Sequence, residues 1–166
     1  MDAATLRALQ APLKQKYRED AGSARVVARA EVRLQPAGLA ALLPQRPHLA
    51  GLHPAAGGTG EHACSADILL EALAACAGVT LMAVATAIDC KVTGGRVVAE
   101  GIWDARGTLG IDREVPVGLR DITLRFELAG DIDEPVRQRL LQLTERYCVI
   151  LATLHQPPGI SVVTAA

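Results

Sequence analysis

Residues 65–85 constrain this chain more than any other stretch: from Ala72 onward they are apolar around the whole circumference of a helix. A helix with no polar face lies at the centre of a core or in a membrane. Ser65 is placed to cap its start, and Asp67 falls in the first turn, where an acid favours the helix dipole. The uncharged run from Ala72 to Ile88 sits at the short limit for a bilayer span and is rich in Ala rather than Leu. The expectation is a buried helix in a soluble domain.

Composition says what must surround that helix. Half of the 166 residues are hydrophobic and only 2 % are aromatic, so the core has to be built from Ala, Val, Leu and Ile. The length fits one domain, residues 1–166. A formal net charge of −1 offers no basic field to nucleic acid. The N-terminus carries an early acid, Asp2, and lacks the basic start and greasy run of a signal peptide. Four cysteines in a chain that needs no disulfide scaffold predict a reducing, cytoplasmic setting.

Residues 5–19 repeat Leu6, Leu9, Leu13 and Tyr17 at helical spacing, with Pro12 expected to split them. Together with the stop at 20–23 they make residues 1–22 a helical N-terminal extension. Residues 24–34 alternate apolar and charged, as a half-buried strand does. Residues 36–56 hold four prolines and room for one or two short strands. Gly57-Gly58-Thr59-Gly60 then turns into the apolar helix. Strands follow at 95–103 and 119–129, separated by a charged loop. An amphipathic helix runs over 134–154 with Pro135 in its first turn, and a last strand spans 160–163. Segregated strands and helices predict α+β with a largely antiparallel sheet.

Two thiols stand out. Cys76 lies within the apolar helix and Cys148 on the apolar side of the later one. A buried cysteine is ordinarily a small hydrophobe. On its own helix Cys76 has Leu69, Ala72, Leu73, Val79 and Thr80 as neighbours, none able to lower a thiol pKa. An activating cation has to come from elsewhere in the fold or from a partner subunit. Two helices that each carry one thiol can bring the thiols together, as peroxide chemistry requires. A thiolate attacks the O–O bond, becomes a sulfenic acid, and a second thiol closes a disulfide. Cys64 and Cys90 flank the helix and read as incidental; Cys64 is about 18 Å from Cys76 along the helix. His53, His62 and Cys64 match no common zinc spacing, so neither a metal nor a cofactor is expected. The glycine run lacks the Lys-Ser/Thr of a phosphate loop.

The run Gly57-Gly58-Thr59-Gly60, followed by residues 65–76 ending in Ala74-Ala75-Cys76, resembles the glycine turn and cysteine helix of the OsmC/Ohr family. Glu145-Arg146-Tyr147-Cys148-Val149 resembles its second cysteine motif, usually Cys-Pro-Val. The segment 12–20 is similar to an N-terminal helix of one OsmC-like branch, as is residues 103–110 to a second segment of that branch. The resemblance implies an intertwined homodimer in which curved sheets wrap two long central helices. It implies thiol-dependent reduction of organic hydroperoxides, in a response to oxidative stress, with Cys76 peroxidatic, Cys148 resolving, and a dithiol reductant. The family's activating arginine carries over to Arg18, with Arg146 as the alternative. Its glutamate falls on Ala66, leaving Asp67 as the nearest acid. Asp67 stands nine residues before Cys76, about 180° around the helix and about 13.5 Å along it. It can serve only a partner's site across a two-fold axis. The missing glutamate leaves open a second reading, a non-catalytic dimer that binds a small apolar ligand in the same cleft.

Overall fold

The computed structural model describes residues 3–35, 40–42 and 50–164. The long helix forms as expected: α2 spans Ser65–Ala87. Its N-cap is Cys64, one residue earlier than the Ser65 cap expected from sequence. Leu70, Leu73, Ala74, Ala77, Leu81 and Ala85 recur at three- and four-residue steps and are almost wholly buried. Leu69, Ala72, Cys76, Val79 and Ala83 follow the same spacing on the opposite side. There Leu69 and Val79 remain 40 % and 41 % exposed. The helix is long and apolar enough to cross a membrane, yet one side of it is packed against protein and the other is not.

The packed side meets an antiparallel sheet. Strands β1 (Arg25–Gln35), β2 (Ala40–Leu42), β5 (Gly94–Asp104) and β6 (Arg120–Ala129) stand in the order β2-β1-β5-β6. The two-residue strands β3 (Ala50–Gly51) and β4 (Ala63–Cys64) pair in parallel just ahead of α2. Alternation along β5 sends Val97, Ala99 and Trp103 into the core that α2 fills. The other face carries the Arg96–Glu127 pair at 2.6 Å and the Arg125–Glu100 pair at 3.5 Å, both partly solvated. The α+β class and the antiparallel sheet are as expected.

Three local expectations need correction. Pro12 does not split α1, which runs unbroken over Ala3–Glu19. The carbonyl that proline leaves without a donor belongs to Ala8, an exposed position where water can serve it. The helix expected over 134–154 is two helices, α4 (Glu134–Tyr147) and α5 (Val149–His155), with Cys148 extended between them at ψ 109. The strand expected at 160–163 is irregular backbone, with Ile160, Val162 and Val163 more than 80 % exposed. No described strand pairs with it.

The N-terminal helix is tied to the loop that feeds α2. Gln10 Nε2 donates to Ala56 O at 3.0 Å, and the Tyr17 hydroxyl donates to Ala55 O at 2.8 Å. Both carbonyls belong to a 3-10 turn, Pro54–Ala56, which ends at Gly57 in the left-handed region (φ 94). A Cβ on Gly58 would meet Leu52 O at 1.6 Å. The glycine run is thus explained by steric need. Beneath Tyr17, the buried Asp104 caps the short α3 (Ala105–Thr108) and grips Arg106 in a fork, with Nη2–Oδ2 at 2.7 Å and Nε–Oδ1 at 3.1 Å. The Arg106 hydrogen bonds hold the Asp104 carboxyl below the usual carboxylate range, against the effect of burial. Burial, and then the Asp104 charge, push the Tyr17 hydroxyl up.

A carboxylate with a lowered native pKa stabilises the fold above the ordinary carboxylate range, and that stabilisation is lost as pH falls. Asp104→Asn is expected to cost about 1–3 kcal/mol at neutral pH. The deficit relative to wild type should narrow toward pH 3. Urea unfolding at both pH values measures it, and a deficit of equal size at both would exclude the ion pair as its source.

Candidate functional site

Three helices build the site. α2 packs against both α4 and α5, and Cys148 occupies the single residue between the latter two. Its N–H donates to Thr144 O at 2.9 Å, closing α4, and its carbonyl accepts from Ala152 N at 2.9 Å, opening α5. The break therefore leaves the backbone hydrogen-bonded, and the side chain turns inward with 0 % exposure. Cys76 reaches the same point from the opposite row of α2, where it is half-buried and its side chain still packs against the core.

The Cys76 and Cys148 side chains lie close enough for Cys76 to act on the Cys148 thiol. Burial pushes the Cys148 thiol up, and the neighbouring Cys76 sulfur pushes it the same way, both as hydrogen-bond partner and through its charge when ionised. The N–H groups of Leu151 and Ile150 pull in the opposite direction, and burial prevails. Cys148 thus keeps its proton to higher pH than an ordinary thiol does. All four cysteines are free thiols.

Beside Cys148 opens a cavity of about 310 Å³. β6 supplies Ile122, Leu124 and Phe126, α4 supplies Leu141, Thr144 and Glu145, α5 supplies Leu151 and His155, and α2 touches it at Ala77. Glu145 and His155 are its charged or titratable lining groups other than the thiol. Neither was singled out in the sequence as lining a site. Helical spacing from Cys148 to Leu151 and His155 carries the signal, but only once the break at Cys148 is known.

The other expected residues lie elsewhere. Asp67 lines a cleft of about 350 Å³ at the start of α2, together with His53, Glu61, His62 and Cys64. Arg18 is exposed near the end of α1, which rests on the 3-10 turns and α3. Neither lines the thiol cavity. Arg146 is exposed on α4, its guanidinium 5.5 Å from the centre of the Tyr147 ring. Among the described residues no cluster of three or more His, Cys, Asp or Glu side chains is arranged to hold a metal ion.

An antiparallel sheet covering a long apolar helix, with two thiols meeting where α2 crosses a helix break, defines a recognisable class of protein. The chain belongs to the OsmC-like protein family, whose model matches residues 58–163. A solved structure of an OsmC-like hydroperoxide resistance protein from Jannaschia sp. CCS1 shares the fold. Its TM-score is 0.58, at 18 % identity, over 82 % of this chain and 91 % of that one. A comparison with curated proteins finds no match.

A thiol with a raised native pKa stabilises the fold below its ordinary pKa and withdraws that contribution as pH rises past it. Reduced wild type is expected to lose stability above about pH 9 more steeply than Cys148→Ala does. Denaturant midpoints between pH 7 and 10 test this, with Tyr17 common to both proteins. Parallel pH profiles would mean that Cys148 titrates as an ordinary thiol.

Proposed function

We propose that this protein is a thiol-dependent peroxidase for organic hydroperoxides. The observation that carries the reading is the closeness of Cys76 to Cys148, which lines a largely apolar cavity. In the proposed reaction the Cys76 thiolate attacks the terminal oxygen of the hydroperoxide. The O–O bond breaks, the alkoxide leaves and takes up a proton as the alcohol, and Cys76 becomes a sulfenic acid. Cys148 sulfur then attacks Cys76 sulfur, water departs, and a disulfide forms. Two thiols have lost two electrons, and an external dithiol returns them. A raised Cys148 pKa suits the second role, since Cys148 enters only after Cys76 has become a sulfenic acid.

The uncovered side of α2 supports a homodimer as part of this proposal. Cys76 stands in the same row as the exposed Leu69 and Val79, so a second copy laid along that row reaches the thiol. A partner residue is then the source of the activating cation, with Arg18 of the second protomer as the candidate and its Asp67 in place of the family's acid. Cytoplasmic residence is proposed with it, since a thiol pair that is re-reduced in each cycle suits a reducing compartment.

The alternative, a non-catalytic binding dimer, is favoured by Ala66 at the position of the family glutamate. The readings part on the chemistry of Cys76. Stopped-flow mixing of the reduced protein with cumene hydroperoxide is expected to consume both thiols, and Cys76→Ser to abolish the reaction. Cys148→Ser should stop at a sulfenic acid that dimedone traps. Wild type that keeps its thiols, or Cys76→Ser that loses none of its rate, would leave the binding reading. Size-exclusion chromatography with light scattering should give twice the 17.4 kDa of one chain.

A further inference from the structure

We propose that α5 is a gate over the Cys148 sulfur, hinged at Cys148 itself, which opens to admit the dithiol that reduces the Cys76–Cys148 disulfide. The use of the gate rests on the peroxidase reading; its motion does not. Cys148 borders the cavity of about 310 Å³ yet is 0 % exposed, so a reductant outside finds no sulfur to attack there. The other sulfur is no easier to reach, because Cys76 stands on the row of α2 that the proposed second copy covers. Reduction therefore requires a wall of the cavity to move. β6 is paired with β5 from Arg120 to Ala129. α4 is anchored by Leu140 and Thr144, both 0 % exposed.

α5 is held more lightly than either. It has seven residues, too few for a helix to hold itself in water, and none of them is buried. Its seat on the core consists of Ile150, Leu151 and Leu154, each partly covered, while Val149, Ala152 and Thr153 are exposed. The bonds that open and close it are local, Ala152 N to Cys148 O and Gln156 N to Ala152 O, both 2.9 Å. Beyond it, residues 156–164 are exposed. Before it, one extended residue, Cys148 at ψ 109, joins it to α4. A segment with so few buried contacts opens without unfolding the rest. Rotation at Cys148 lifts away Leu151 and His155, the side chains that α5 gives to the cavity wall.

Through the open gate a thiolate of the reductant attacks the Cys148 sulfur. The S–S bond breaks, Cys76 leaves as a thiolate, and a mixed disulfide joins the reductant to Cys148. The reductant's second thiol gives its proton to water and attacks its own bound sulfur, and Cys148 leaves and is protonated. Two electrons have passed to the protein, and the dithiol departs as a disulfide.

Thr153 is exposed and outside the cavity, which makes it the position for the test. In native buffer N-ethylmaleimide is expected to label Cys148 of the reduced protein, as read by peptide mass spectrometry. Thr153→Gly should label about fivefold faster than Thr153→Ala, the helix-propensity difference between the two residues. Urea well below the unfolding transition should change the rate little, and the amides of α5 should exchange with deuterium faster than those of α4. With the disulfide preformed by diamide, reduction by dithiothreitol should follow the same order, while both reduced variants consume cumene hydroperoxide at the wild-type rate. Labelling of Cys148 only through global unfolding, equal labelling of the two variants, or equal reduction of their disulfides would each overturn the gate. Reduced protein that never consumes hydroperoxide, or diamide that fails to join Cys76 to Cys148, would count against the peroxidase reading instead and leave the labelling result standing.

Discussion

Everything in this fold follows from covering a helix that has no polar side. The sheet covers one flank of α2 through Val97, Ala99 and Trp103, and α4 and α5 cover another. Each buried aliphatic side chain contributes about 1.5–3 kcal/mol, so the helix sets the register of whatever packs on it. With one Phe and one Trp in the chain, the contact is made by small side chains, and the elements come close. That closeness brings Cys76 against Cys148. The thiol pair is a by-product of how tightly a helix of alanines and leucines can be packed.

The same constraint separates chemistry from scaffold. The N-terminal helix, the Asp104–Arg106 fork and the glycine turn lie toward the start of α2, where hydrogen bonds from Gln10 and Tyr17 fasten the incoming loop. The thiols meet at the middle of α2, and Cys148 lines a largely apolar cavity there. Asp67 belongs to the first region and Cys76 to the second, at a separation fixed by the rise of the helix itself. Any acid or cation that assists Cys76 has to approach from the uncovered row of Leu69 and Val79 rather than along α2.

Much of this was legible in the residues. The apolar circumference marks α2, alternation marks β1, β5 and β6, and Pro135 marks the start of α4, because each rests on a local period. Cys76 and Cys148 were recognisable as a pair through their helices and through family likeness. What escaped is non-local. Nothing in Tyr147-Cys148-Val149 announces a break, since no Gly or Pro stands there; the backbone turns where the sulfur is drawn into the core. Glu145 and His155 became lining residues only through that turn. Pro12 misled because its cost depends on whether the orphaned carbonyl faces water. Ile160 and Val162 alternate about Ser161 as a strand does, but a strand needs a neighbour, and a sequence does not show one.

The single tryptophan has a practical corollary. Trp103 is buried at 6 % exposure, its ring meeting the edge of His53 at 5.2 Å. His53 in turn caps the turn that α1 fastens, accepting from Ala55 N at 3.0 Å. The protein's tryptophan fluorescence therefore originates at one spot, on the scaffold side of the molecule. Its intensity and wavelength follow the seating of the N-terminal helix and its loop.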